Sequence, residues 1–430
     1  MIDIKLIRES PEIVKENIKK KFQNEKLPLV DSIKNKDKEW RSLKAELDAL
    51  RHKRNKLSQE INLAKKSGKN SSALLKEAKL LPKKIEEAEK KAEKLQEEIL
   101  AQLKQIPNII SKDTPIGKDV SSNKVIRKVG KLPKFSFPVK NHVEIIEALG
   151  LADFEASARV SGAGFYYLKK ELALLNQALI KFGIDFMQKQ GYEYIETPLM
   201  LNESSIYASM DKKAIEESVY SIKDEDLNLI GTAEQSLLAL HSQQTLPEAQ
   251  LPKKYFSYSM CFRKEIGSHG INEKGLWRTH QFNKVEQFIF CLPKDSEKLY
   301  LELLKHSEEI LKKLKLPYRV LEICSGDLAD WKYRSADLEV YRPTTKDYGE
   351  VMSLSNCTDY QARKLNIKYS DKKGERKILH TLNDTALATS RIMVAIIENN
   401  QQKDGSIKIP SVLVPYMNGR KFIGRKSQSS

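Results

Sequence analysis

Two series of residues stepping by three and four dominate the first quarter of the chain. Trp40, Leu43, Leu47, Leu50, Arg54, Leu57, Ile61 and Ala64 form the first series. Leu74, Ala78, Leu81, Ile85, Ala88, Ala92, Leu95 and Ile99 form the second, after a polar turn at Ser67-Gly68-Lys69-Asn70-Ser71-Ser72. Each step places one apolar stripe along a helix, and so short a turn brings the two stripes face to face. The pattern predicts an antiparallel coiled-coil hairpin over about residues 31–106. Helices of about 35 residues would make an arm of roughly 50 Å at 1.5 Å per residue. Pro82 falls inside the second helix and predicts a kink there. Further upstream, Ser10-Pro11 reads as a helix start, with Ser as the cap and Pro at the first helical position, opening a short helix to about Lys21.

Charge along this arm is uneven. Residues 51–70 carry seven basic side chains (Arg51, Lys53, Arg54, Lys56, Lys65, Lys66 and Lys69) against one acid, Glu60. The whole chain carries a net charge of +17, which fits a polyanionic partner, nucleic acid before a membrane surface. Cations concentrated toward the tip of a protruding arm suit phosphate neutralisation, so these seven are candidate nucleic-acid contacts. A solvated coiled-coil exterior is the plainer alternative. No apolar run reaches the ~18–20 residues of a membrane span, and MIDIKLIRES has no signal-peptide core. Cys261, Cys291, Cys324 and Cys357 are widely spaced without a CxxC pair, which fits reduced thiols in a cytoplasm rather than disulfides or a zinc site.

The sequence divides into an N-terminal region over 1–109, a linker with short strands over 110–140, a mixed α+β domain over 141–420 and a basic polar tail over 421–430. Pro107, Pro115, Pro133 and Pro138 exclude a helix from the linker. Leu168, Leu172, Leu175, Leu179, Phe182 and Phe186 form one face of a long helix ending near Gly191, followed by a strand, Tyr192–Thr197, that runs into Pro198. That helix could pack on its own sheet or on a partner subunit, and the pattern does not separate the two.

Residues 255–290 read as a hairpin with a long cationic loop at 266–278 containing Gly267, Gly270 and Gly275. In its first strand Ser257, Ser259, Cys261, Arg263 and Glu265 share a face; in its second Phe282 and Glu286 do, with Phe288 and Phe290 beyond. An arginine, two carboxylates and an aromatic plate on one sheet face describe either a ligand site or an ordinary amphipathic hairpin. Thr232-Ala233-Glu234 follows a short strand, Asn228–Ile230, and opens a helix from Gln235 to His241, so Thr232 and Glu234 either cap that helix or present a hydroxyl and a carboxylate to an ammonium group. A second hairpin spans 337–356. A strand, ILHTLND, then runs into a helix, TALATSRIMVAIIENN, with Asn383 and Thr385 at the junction and Arg391 in the second helical turn. A helix start carrying Thr and then Arg is a plausible anion site.

Taken together these stretches resemble the seryl-tRNA synthetases, a family of class II aminoacyl-tRNA synthetases, over nearly the whole chain. FRKE at 262–265 with HQFNKVE at 280–286 resembles the second class motif, LNDTALATSR at 382–391 the third, and the helix–strand–Pro198 segment the first. GTAE at 231–234 resembles the family's serine loop, SLSNCTDYQAR at 353–363 its hallmark after the second hairpin, and the heptad hairpin its tRNA-binding arm. Where many bacterial members have a Gly-Ser pair, this chain has Asp384-Thr385, and Ala386 and Ser390 replace glycines. Thr keeps the hydroxyl, and the variant resembles the archaeal and eukaryotic form. The scattered cysteines and the heptad arm differ from the rare zinc-binding methanogen form.

The resemblance implies an α+β fold, with a class II catalytic domain of antiparallel sheet flanked by helices and an N-terminal coiled-coil arm. It implies activation of L-serine by ATP to seryl-adenylate and transfer to the 3′ end of tRNA(Ser), engaged by its long variable arm, with tRNA(Sec) as a further acceptor the family allows. It also implies magnesium, no zinc, a homodimer and a cytoplasmic enzyme without membrane attachment. Arg263, Glu265 and Arg391 become the catalytic candidates; Arg263, Lys264, Glu265, Thr279, Phe282, Glu350, Val351, Met352, Ser353 and Arg391 the ATP site. Thr232, Ala233, Glu234, Glu286, Asn383 and Thr385 become the serine site, and Glu350 and Ser353 the magnesium ligands. Regular strand geometry would put positions 350 and 353 on opposite faces, so this metal assignment requires a bulge or twist between them. A ligase that loads a carrier protein and a non-catalytic RNA-binding paralogue are the alternatives; relatives of the first kind lack the arm, and the second would have lost ATP residues that this chain retains.

Overall fold

The computed structural model describes residues 1–68, 70–266 and 274–424. The chain forms two units, Met1–Pro107 and Asn108–Ser430.

The first unit is helical. Helix α1 spans Ile4–Glu9 and is capped by Asp3, whose carboxylate accepts the Lys5 N–H at 2.8 Å. Helix α2 spans Pro11–Lys20; Pro11 occupies its first turn, but the Ser10 hydroxyl makes no capping bond. Helix α3 runs over Leu27–Lys66 and helix α4 over Ser72–Leu103, so the first helix of the arm is longer than the heptads alone suggested. Leu43, Leu47, Ile85, Ala88, Ala92 and Leu95 form its buried seam, flanked by Trp40 and Leu50. Toward the turn Leu57, Ile61 and Leu81 are buried, whereas Arg54 is exposed even though it holds a heptad position. The last turns before the tip therefore have a thinner seam. Helix α4 continues through Pro82 as one element.

The second unit is built on an eight-stranded sheet. In chain order its strands are β1 (Lys124–Val129), β2 (Glu193–Tyr194), β3 (Lys253–Phe262), β4 (Gln281–Cys291), β5 (Tyr318–Glu322), β6 (Arg334–Arg342), β7 (Asp347–Thr358) and β8 (His380–Ala388). Their spatial order is β1-β5-β6-β7-β8-β4-β3-β2. All neighbours are antiparallel except the edge pair β2–β3, which is parallel. Strand β1 lies within the stretch that read as a linker. It is an edge strand with nearly all side chains exposed, so no alternation marks it in the sequence, yet it pairs with β5, and Arg127 reaches Glu308 at 2.6 and 2.9 Å. At the other end, Phe422–Ile423 pairs with Ile407–Lys408, so the first residues of the region read as a polar tail belong to the fold; residues 425–430 lie outside the described residues.

One face of the sheet is covered by helices. Helix α5 spans His142–Ala148, α6 Lys170–Lys189, α8 Ser296–Lys313 and α9 Thr389–Asn399; helix α7, Ala233–Ala239, instead packs its Leu237 and Leu238 with Phe288 and Phe290 on the opposite face. Gly183 of α6 approaches so close to β4 and β8 that a Cβ there would lie 3.1 Å from Val285 and 3.8 Å from Leu387. On the same face His306 and Ser307 of α8 meet Gln287 and Asp384. The long helix that could have served a partner thus buries Leu172, Leu175, Leu179, Phe182 and Phe186 in the unit's own core. The opposite sheet face, bearing Phe282, Asn383 and Thr385, is the open one.

Two boundaries differ from the sequence reading. Strand β8 does not end at Asp384 but continues to Ala388, because every residue from Thr381 to Ala388 is buried and the segment has neither Gly nor Pro to stop it. Helix α9 therefore starts at Thr389, and Arg391 lies in its first turn rather than its second. Strand β3 ends at Phe262, so Arg263 and Glu265 follow the strand instead of standing on it, and Glu265 has a left-handed backbone (φ 53°).

Candidate active site

The open face of the sheet forms the wall of a cavity of about 410 Å³. Three segments converge on its first end. Arg263 leaves β3 and donates from Nε to the Gly231 carbonyl at 3.1 Å, which turns its guanidinium over the Phe282 ring at 5.3 Å from the centroid. Glu265 pairs with Arg278 at 3.3 Å, and buried Thr279 lies next along the returning chain. Arg391 donates to the backbone carbonyls of Glu350 (2.9 Å) and Trp277 (3.3 Å), and its guanidinium is 3.2 Å from the Glu350 carboxylate.

Between β6 and β7 the ladder slips by one residue. Leu338 faces Met352, but Glu339 faces Glu350, leaving Val351 as the extra residue. This bulge brings Glu350, Val351 and Ser353 together on the cavity wall. Burial alone would raise the Glu350 carboxyl; Arg391 foremost, then Arg263 and Lys332, hold it below its ordinary value. Asp337, paired with Ser353 across the ladder, is driven the other way by burial and by the charge of Glu350.

At the second end the side chains are polar and closely connected. Thr232 caps α7, its hydroxyl accepting the Glu234 N–H at 3.3 Å, and both side chains reach the cavity. The Glu234 carboxylate accepts from Gln361 (2.8 Å) and from Asn383 Nδ2 (3.0 Å). Burial, then the neighbouring charge of Glu286, raises the Glu234 carboxyl above its usual range. Asn383 Nδ2 also donates to Glu286 at 3.3 Å, while Asn383 Oδ1 has no hydrogen-bond partner among the described residues. Thr385 faces Glu286 across the β8–β4 ladder. Lys284 Nζ lies between them, 2.6 Å from Glu286 Oε2 and 3.4 Å from the Thr385 hydroxyl.

Four of the residues expected in the site are not on the cavity wall. Glu286 is fully buried behind Lys284 and Asn383. Ala233 and Met352 are core residues, and Lys264 is fixed through its backbone N–H to the Ser218 carbonyl. Conversely Trp277, Arg278, Lys284 and Lys332 line the cavity without having been singled out. Lys284 carried a legible signal, since any strand that aligns Phe282 with Glu286 aligns the residue midway between them. Most of the loop 266–278 lies outside the described residues.

The seven cations of the arm divide into two groups. Arg51 pairs with Glu89 at 2.7 Å, Lys53 with Glu77, and Lys56 with Glu60 at 4.0 Å. Arg54, Lys65 and Lys66 have no ion pair among the described residues, and Lys69 lies outside them.

Comparison with known proteins identifies both units. Residues 218–400 match the tRNA synthetase class II core domain (G, H, P, S and T), and residues 1–110 match the seryl-tRNA synthetase N-terminal domain. The serine–tRNA ligase of Methanocella arvoryzae is 43% identical over 98% of this chain and 100% of its own length. Among solved structures, seryl-tRNA synthetase from Pyrococcus horikoshii complexed with ATP superposes with a TM-score of 0.93 at 40% identity, covering 98% of this chain and 99% of that one. The cytoplasmic serine–tRNA ligase of Naegleria fowleri in complex with AMP gives 0.88 at 32% identity, covering 98% of both.

Proposed function

The chain belongs to the seryl-tRNA synthetase family, and we propose that its cavity joins L-serine to AMP and then passes the seryl group to tRNA(Ser). The serine carboxylate attacks the α-phosphorus of ATP, the bond to the β-phosphate oxygen breaks, and pyrophosphate leaves. A terminal ribose hydroxyl of the tRNA then attacks the seryl carbonyl, and AMP leaves. Neither step needs a protein nucleophile; both need in-line positioning and neutralisation of charge on phosphate.

The observation that carries the reading is one cavity with guanidiniums at one end and a carboxylate–amide–hydroxyl cluster at the other. Arg263 takes the α-phosphate, a role its planar fork fits better than a lysine would. Phe282 and Arg391 hold the adenine, with Glu265 and Thr279 at its edge or at the ribose. The backbone of Val351 passes beside the nucleotide. Thr232, Glu234 and Glu286 receive the serine ammonium, and Asn383 and Thr385 its hydroxyl. For Glu286 this means that the substrate ammonium takes the place of the Lys284 ammonium now 2.6 Å away.

Magnesium fits the bulge at Val351: Glu350 and Ser353 share one face, offer oxygen donors only, and Glu350 is kept ionised. When bound there, the ion supplies positive charge to the triphosphate. An all-oxygen donor pair is also a poor match to zinc, which favours sulfur and nitrogen. Unit 1 acts as the tRNA-binding part through its arm, and residues 141–420 as the catalytic part. We further propose a homodimer and a cytoplasmic location. No described helix is long and apolar enough to cross a membrane.

Serine-dependent ATP–pyrophosphate exchange tests the core of this proposal. The wild-type chain should exchange, and Glu286→Ala should abolish it; wild-type exchange in that variant removes Glu286 from the serine site. Charging of tRNA(Ser) but not of a carrier protein separates a tRNA ligase from its carrier-loading relatives.

A further inference from the structure

At the edge of the cavity, Trp277, Arg342 and Glu398 have no part in the scheme above. Arg342, on β6, lies 4.4 Å from the centroid of the Trp277 ring, and Arg391 lies 5.6 Å from the same ring. The indole is seated over Gly349, where a Cβ would fall 2.3 Å from Cζ2 and 2.6 Å from Cη2, so only glycine admits it. Arg342 is itself fixed. Its guanidinium donates to Glu398 at 3.1 and 3.4 Å, and Glu398, fully buried, also accepts from the Thr344 hydroxyl (2.8 Å) and from His142 (3.1 Å). His142 Nε2 in turn accepts the Leu276 N–H at 3.2 Å, so the chain entering Trp277 is held by the same cluster.

We infer that Trp277, clamped by Arg342, is a positioning residue that sets Arg391 for the nucleotide; this rests on the assignment of Arg391 to ATP. A free arginine side chain has several rotatable bonds and would have to be ordered on every binding event. Here two backbone carbonyls, one carboxylate and one aromatic face define its direction beforehand. Arg342 contributes at a distance: it touches the indole and Glu398 but does not line the cavity. The coupling also has a specific consequence. Arg342 acts on Arg391 chiefly through the Trp277 ring, so removing both clamping residues costs less than the sum of the two single losses.

The test is exchange kinetics on the full chain, with ATP and serine varied separately. Trp277→Ala and Arg342→Ala should each raise the KM for ATP about tenfold, the scale of a partly buried cation–π contact, while the KM for serine stays within about twofold. Trp277→Phe, which keeps an aromatic face, should restore most of the ATP affinity, and the double alanine variant should fall short of the sum of the two single effects. A packing role alone would move both KM values alike and would not single out ATP. An unchanged ATP KM in Trp277→Ala, an equal rise for both substrates, or additive effects in the double variant overturns the inference. Arg391→Ala is the reference: if it leaves the ATP KM unchanged, the assignment of Arg391 fails and the inference with it. If Arg391→Ala raises the KM and Trp277→Ala does not, only the positioning role fails.

Discussion

Side chains 101 residues apart decide what the serine end of the cavity can recognise, since Lys284 reaches Thr385 across two strands. Alternation alone aligned Phe282 with Glu286. It could not show that a lysine ammonium would cover that carboxylate, because Lys284 is held there by Thr385 on a different strand. A site that hydrogen-bonds a substrate hydroxyl discriminates against the analogue without it. Thr385→Val removes the hydroxyl at nearly constant shape, so the KM for serine should rise roughly tenfold, with the ATP KM unchanged and the preference over alanine reduced. An unaltered serine KM in exchange assays would take Thr385 out of recognition. Glu398 gives a second test at this scale. Burial would raise its carboxyl, but hydrogen bonds from His142, Arg342 and Thr344 bring it to about 2. That is below the unfolded value of roughly 4.3, so the stabilisation is complete above that pH and is lost as pH falls toward 2. Glu398→Gln should therefore cost up to about 3 kcal/mol at pH 7 and progressively less between about pH 4 and 2. Urea midpoints measured across that range decide it; a pH-independent difference rules out the carboxylate as the cause.

Local patterns announced most of the elements but not their irregularities. The heptads gave the arm, and α4 runs on through Pro82, where the sequence predicts a kink, with Leu81, Ile85 and Ala88 buried along that stretch. Pro82 is exposed, lacks an N–H and still sits in a helix interior, so Pro82→Ala should stabilise the arm by up to about 3 kcal/mol, read from helical melting. No change would mean that the bend it imposes is absorbed by the coiled coil. Strand β8 ran four residues further than its sequence suggested, since burial on both faces erases the alternation that marks an end. The bulge at Val351 was legible only as a requirement: two residues three apart cannot share a face of a regular strand. Deleting Val351 should restore a regular ladder and turn Glu350 and Ser353 out of their shared site. The ATP KM should then rise at least about tenfold in a variant that still melts cooperatively. Retained ATP affinity in such a variant would separate the bulge from nucleotide binding.

At the scale of the whole chain, the catalytic candidates and the candidate tRNA contacts lie in different units. Every residue lining the cavity belongs to Asn108–Ser430, while the seven cations of residues 51–70, set against one acid, lie on the arm of Met1–Pro107. Removing residues 35–105 should therefore leave serine-dependent exchange within about twofold but lower tRNA charging by roughly two orders of magnitude or more, since phosphate neutralisation dominates affinity for nucleic acid. Salt dependence refines which cations act. Arg51, Lys53 and Lys56 already have carboxylate partners, whereas Arg54, Lys65 and Lys66 have none among the described residues. A cation that must first release a carboxylate gains less from a phosphate than one that meets it free. Changing Arg54, Lys65 and Lys66 to serine should reduce the slope of log affinity for tRNA(Ser) against log salt by roughly 2–3, close to one phosphate contact per residue removed. Changing Arg51, Lys53 and Lys56 instead should reduce it less. Equal slopes for the two triple variants would show that ion pairing within the arm does not select its contacts, and an unchanged slope in both would move the tRNA-binding surface elsewhere on the molecule.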